Sequence, residues 1–157
     1  MRQISHKMEK ASKWVIGHQI TPLQTTGNYD MVLGETPAQV PGPPPHYHNN
    51  FSEVFLVTEG EMEFIVNGQA VTVRAGESVD LPPGTLHTFS NKSESKCKWV
   101  NIHSPKGFLD FFQQLGVSAS EENAFSKSVD PELIQQVIRR APEFDMMITT
   151  EVPLPNE

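Results

Sequence analysis

The sequence predicts an all-β domain, an antiparallel sandwich or barrel over about 14–104, followed by a helical extension over about 105–145. Three observations carry this expectation. Short apolar–polar alternations recur between Trp14 and Ser104. Turn signals separate them at close intervals: Asn67-Gly68, Ala75-Gly76 and Pro82-Pro83-Gly84. At Pro105 the apolar spacing changes from two to three and four.

Each element has its own reason. In EMEFIV, Met62, Phe64 and Val66 alternate with Glu61 and Glu63, the period of a half-buried strand. Asn67-Gly68 then fits a two-residue hairpin, whose turn positions both need positive φ. QAVTVR returns with Val71 and Val73 on one face, and ESVDL turns Val79 and Leu81 inward. HTFS opens another strand after the Pro-Pro-Gly turn. Beyond Pro105, Phe108, Phe111, Phe112 and Leu115 share one face of a helix. A second helix has Asp130 as N-cap, Pro131 at its first position and the stripe Leu133, Ile134, Val137 and Ile138; Pro142 ends it. Neither stripe can be buried alone, so the helices are expected to pack on the barrel or on a second subunit, with a lid over a site as the less ordinary role. The tail from Thr149 is expected to fray.

Composition excludes several functions. A net charge of −7 and a pI near 5.3, with basic residues scattered apart from Arg139-Arg140, argue against binding a phosphate backbone. No apolar run approaches the ~20 residues needed to span a bilayer, and the N-terminus lacks the apolar core of a secretory signal. The single cysteine, Cys97, permits no internal disulfide, which suits a reducing compartment. A cytoplasmic protein without nucleic-acid or membrane partners is expected.

The chemistry concentrates in PGPPPHYHNNFSE. His46 and His48 stand two apart, so on a strand both project to one face. The turn-like NNFS that follows lets the chain fold back, placing Glu53 on the next antiparallel strand beside them. His87, just after a tight turn, can face the same cavity. A lone histidine is usually a partly exposed or hydrogen-bonded residue, and His6, His18 and His103 read that way singly. The set His46, His48, Glu53 and His87 does not. An isolated buried carboxylate costs several kcal/mol, and three imidazoles beside it would set lone pairs against one another. A divalent cation removes both problems. Nitrogen-rich donors fit Fe, Mn, Ni, Cu, Co or Zn rather than Mg or Ca. The run Pro43-Pro44-Pro45 is extended without donors and delivers His46 pre-ordered, or ends an edge strand. Parity places Phe55, Val57, Phe64, Leu81 and Phe89 on the wall of an apolar substrate pocket, and turns Tyr47 away from it.

HYHNNFSEVFLVTEG resembles the first motif of the cupin superfamily, with His46, His48, Glu53 and Gly60 in place; Gly42 lies closer to His46 than the general pattern has it. GESVDLPPGTLHTFSN is similar to the second motif, from Gly76 through Pro82, Gly84 and His87 to Asn91. The likeness covers about Gly27 to Pro105 and leans toward the quercetin-dioxygenase-like branch. It implies a jelly-roll-like double-stranded β-helix barrel, open at one end, with one metal held by His46, His48, Glu53 and His87. It also implies that Glu53 serves as catalytic base, and that the protein pairs as a homodimer, with the outward Val54 and Leu56 compatible with such pairing. Three functions stay open: a metal-dependent dioxygenase acting on a small aromatic or enol-like substrate, a non-oxidative isomerase, decarboxylase or lyase, and a non-catalytic small-molecule sensor.

Overall fold

The computed structural model describes residues 12–149. Expectations for His6, the extreme N-terminus and the tail from 150 fall outside them. In chain order the elements are β1 (Lys13–Val15), β2 (His18–Leu23), β3 (Asp30–Thr36), β4 (His46–Tyr47), β5 (Ser52–Glu59), β6 (Glu61–Val66), β7 (Gln69–Arg74), β8 (Ser78–Leu81), β9 (His87–Ser90) and β10 (Cys97–Ser104). Then come α1 (Leu109–Leu115), β11 (Val117–Ser118), α2 (Ala124–Ser128), α3 (Pro131–Arg140), a 3₁₀ turn (Ala141–Phe144) and β12 (Met147–Ile148).

Two antiparallel sheets face each other. One runs β11-β1-β2-β3-β10-β5-β8, the other β12-β4-β9-β6-β7. Both sheets recruit a short strand from the C-terminal extension, which is therefore helical only in part. The expected hairpin is present: Asn67 and Gly68 take φ of 48° and 83°, and β6 pairs with β7 from Glu61↔Arg74 to Val66↔Gln69. On β7 only Val73 is buried; Val71 stands exposed on this edge strand, where no strand among the described residues pairs beyond it.

The core lies between the sheets. Phe55 packs on Phe64, Phe89 and Trp99 at ring-centroid distances of 5.1, 5.1 and 5.2 Å. Burying each such side chain is worth about 1.5–3 kcal/mol or more. Phe111, Phe112 and Leu115 of α1 are buried in the same cluster, and Val137 anchors α3. Asp130 caps α3 by accepting from Glu132 N–H, with Pro131 at the first turn, as its sequence predicts. Gly42 fits where no larger residue would: a Cβ there would sit 1.5 Å from the Phe89 carbonyl oxygen. That contact seats the proline run against β9. No helix among the described residues is long and apolar enough to cross a membrane.

Candidate metal centre

His46 and His87 pair directly across β4 and β9 of the five-stranded sheet. His48 follows β4 and is fixed from behind, its carbonyl accepting from Gly84 N–H at 2.7 Å. Glu53 does not lie on the neighbouring strand, as the sequence predicts. It sits on β5 in the opposite sheet, and the segment Asn49–Phe51 crosses between sheets to bring it there. The crossing reverses the parity that a flat hairpin would impose, so the carboxylate faces the imidazoles across the barrel. The ligand atoms of His46, His48, Glu53 and His87 all lie within 4.8 Å of one another, and all four residues are buried.

Hydrogen bonding decides which nitrogen of each ring faces inward. His46 Nδ1 meets Pro44 O at 3.0 Å, His48 Nδ1 meets Asp145 O at 2.8 Å and His87 Nδ1 meets Thr85 O at 2.9 Å. A carbonyl only accepts, so each Nδ1 carries the proton and each neutral ring turns a lone pair inward at Nε2. Among the described residues no hydrogen bond reaches the buried His48 Nε2, His87 Nε2 or Glu53 Oε2. Yet Oε2 lies 3.3 Å from His48 Nε2 and 3.0 Å from His87 Nε2. Acceptors face acceptors, which is unfavourable until a cation stands among them. Imidazoles backed by carbonyls are the usual way metal ligands are oriented. The cluster can therefore hold a metal.

Without a cation the charges favour a neutral ring at His46 but a proton on His87, next to the Glu53 carboxylate. Burial pushes the Glu53 carboxyl up, but His103 and His87 outweigh it and hold it well below the usual carboxylate range. Burial, reinforced by His87, lowers His46 to about 3. Burial also lowers His87, yet the Glu53 carboxylate more than reverses this, and the ring ends above the ordinary value.

The cluster opens into an apolar cavity of about 60 Å³. Phe55 and Phe89 line it, as their parity predicts. Val57, Phe64 and Leu81 do not; all three are buried in the core, where the Phe64 ring packs against Phe55 and Phe89. Tyr47 is absent from the lining, as expected. The roof is Phe108, Phe111 and Phe112 with Met146, so the extension that packs on the barrel also closes the cavity.

Polar residues passed over in the sequence complete the site. Asn101 Nδ2 donates to Glu53 Oε1 at 3.0 Å and to the Val54 carbonyl at 3.3 Å. His103 Nε2 lies 3.2 Å from Glu53 Oε1, while its ring stacks on Phe108 with centroids 4.1 Å apart. His18 lines the cavity and bonds Thr36 Oγ1 through Nδ1 at 2.9 Å; burial, opposed by the Pro41 carbonyl, lowers it to about 4. The signal for Asn101 and His103 was available in CKWVNIHS, where both continue the inward parity of Cys97 and Trp99.

A family profile described as the cupin domain matches residues 34–103. Over 71 residues the chain is 32% identical to quercetin 2,3-dioxygenase of Bacillus subtilis (strain 168), covering 45% of this chain and 21% of that protein. Over 56 residues it is 38% identical to the HTH-type transcriptional regulator PuuR of Escherichia coli (strain K12), covering 36% of this chain and 30% of that protein. The chain thus matches less than a third of the length of either relative. An RmlC-like cupin from Shewanella frigidimarina NCIMB 400 superposes with a TM-score of 0.56 at 21% identity, covering 67% of this chain and 92% of that one. Two facing sheets with a buried His/His/Glu/His cluster between them have the cupin fold, and residues 34–103 of the chain match the cupin domain.

Proposed function

We propose that the chain is a metal-dependent cupin that binds a small aromatic or enol-like molecule in the barrel and acts on it as an oxidoreductase of dioxygenase type. One observation carries this reading: three inward lone pairs and one carboxylate oxygen converge at the wall of an apolar cavity. The similarity to a quercetin 2,3-dioxygenase supports it. The cofactor is one divalent transition ion among Fe, Mn, Ni, Cu, Co and Zn, held by His46, His48, Glu53 and His87. When bound, such an ion acts as a Lewis acid and lowers the pKa of an enol or phenol hydroxyl.

The chain's own residues do the rest. Glu53 takes the proton from that hydroxyl, its Oε1 steadied by Asn101. Phe55 and Phe89 bound a flat molecule, and the roof of Phe108, Phe111 and Met146 excludes water. A cavity of about 60 Å³ offers room for only a few waters at ~10–15 Å³ each, so the substrate is compact or the roof moves to admit it. A homodimer would cover Leu33 and Leu56, which stand exposed on either side of Val100 on the outer face of the seven-stranded sheet.

Elemental analysis of untagged protein, then oxygen uptake with a panel of flavonols, catechols and β-diketones, tests the reading. A bound transition ion with oxygen consumption is expected. Turnover of the same panel without oxygen would replace the oxidative assignment with an isomerase, decarboxylase or lyase. The likeness to a transcriptional regulator favours one second reading, a non-catalytic sensor barrel. That reading requires ligand-dependent thermal stabilisation with no product.

A further inference from the structure

We infer that Asp145 is a positioning residue for the metal centre, acting through His48 and the loop that follows it. This rests on the metal reading above. His46 and His87 lean on carbonyls two residues earlier in the chain, those of Pro44 and Thr85, just before their own strands. His48 alone leans on a distant part of the chain, the carbonyl of Asp145.

The Asp145 side chain reinforces that link. Its Oδ1 accepts from Asn49 N–H at 3.0 Å and its Oδ2 from Asn50 N–H at 2.8 Å. The carboxylate thus grips the first two residues of the segment that crosses from His48 toward Glu53. Beyond it the chain lies along β4: Met147 pairs with Tyr47, Ile148 with His46, and Thr149 N–H donates to Pro45 O at 3.1 Å. Every residue from Pro45 to Asn50 is therefore paired or bonded to this C-terminal strap. Met146, one residue beyond Asp145, is buried in the cavity wall.

The backbone explains the choice of residue. Asp145 takes φ of 58°, the left-handed region that Gly, Asn and Asp enter more readily than other residues. Three substitutions therefore separate its roles. Asp145→Asn keeps the backbone preference and one acceptor. Asp145→Gly keeps the backbone, and with it the carbonyl facing His48, but drops the carboxylate. Asp145→Ala loses both.

The test titrates cobalt(II) into the full-length apoprotein and follows heat and visible absorption. Outer hydrogen-bond partners of metal ligands typically govern affinity by about 10–100-fold. Asp145→Ala should weaken cobalt binding on that order, Asp145→Gly less and Asp145→Asn least, with the absorption band altered as His48 leaves its place. In a His48→Ala background Asp145→Gly should add little, since the two act as a unit. Asp130→Ala, which removes only the cap of α3, should lower the melting temperature and leave cobalt affinity and spectrum unchanged. Wild-type affinity and spectrum in both Asp145→Gly and Asp145→Ala would overturn the positioning role while sparing the metal site; should the alanine variant not fold, an unchanged Asp145→Gly overturns it by itself. Wild-type protein that takes up no cobalt would overturn the metal reading and this role with it.

Discussion

Replacing Glu53 by Gln separates a metal site from a structural cluster of charges. In the apoprotein the Glu53 carboxylate is buried, with Oε2 3.0 Å from His87 Nε2 and 3.3 Å from His48 Nε2. Glutamine is nearly isosteric and uncharged. Its carbonyl oxygen can keep the Asn101 bond, and its NH₂ can donate to the inward lone pairs of His48 and His87. Above the range in which the imidazoles are protonated, the change turns an acceptor–acceptor clash into hydrogen bonds and removes a buried anion whose desolvation costs several kcal/mol. At about pH 8.5, two units above the ordinary imidazole value of ~6.5, apo Glu53→Gln should therefore melt at or above the wild-type temperature. Metal reverses the order. A cation at 100 times its Kd stabilises wild type by about 2.7 kcal/mol. At roughly 2–4 °C per kcal/mol for a chain of this size, that is about 5–10 °C. The variant should gain less than wild type, because a neutral oxygen is the weaker ligand, but more than His48→Ala, which loses a ligand outright. Differential scanning calorimetry of chelated and cobalt-loaded protein reads both arms. Suppose apo Glu53→Gln is instead destabilised by the ~3–5 kcal/mol expected for breaking a buried ion pair, and cobalt leaves wild type unmoved. The cluster would then be a structural ion-pair network, and the metal assignment would fall.

The roof, the cavity wall and the outer helix each give a further expectation. Phe108→Ala removes a buried ring stacked on His103 and Phe111, and should cost about 3–5 kcal/mol in urea unfolding while admitting larger aromatic ligands. His18 is held near pKa 4 against an unfolded value near 6.5, so the unfolded chain binds the extra proton first. Its stabilising effect is complete above about 6.5 and is lost as pH falls toward 4, on the order of 3 kcal/mol in total; His18→Leu should flatten that part of the pH–stability curve. Asp130→Ala should cost about 1 kcal/mol through the lost cap, read by thermal unfolding.

How much was legible in the sequence follows from which interactions are local. The strands β6 to β9 and their turns could be read because alternation and Asn-Gly chemistry act over a few residues. The cluster was legible too, since His46 and His48 stand two apart and His46 and His87 meet carbonyls two residues earlier in the chain. Glu53 lies in the cavity but on the sheet opposite the histidines, because the crossing NNFS segment is bonded to Asp145, about a hundred residues away, a contact that local turn chemistry does not reveal. Val57, Phe64 and Leu81 share the inward parity of the true lining residues; parity gives a face of the sheet, not a place on the cavity wall. His103 was set aside because a single histidine carries little signal, and its meaning comes from Glu53 on the paired strand, where the two stand opposite in register.

The same distribution shows why a small barrel needs its extension. The two sheets alone can bring Glu53 up to His46, His48 and His87, but one rim of the cavity is closed only by α1 and Met146. Buried acceptors left without partners are tolerable where a cation balances them, and a cation holds its charge advantage only where water is kept out. Phe108 serves both needs, shutting the cavity and lying flat on the His103 ring whose Nε2 approaches Glu53. The Asp145 carbonyl accepts from His48 Nδ1 on the side away from Glu53. Displacing Phe108 would unstack the His103 ring, whose Nε2 stands 3.2 Å from Glu53 Oε1.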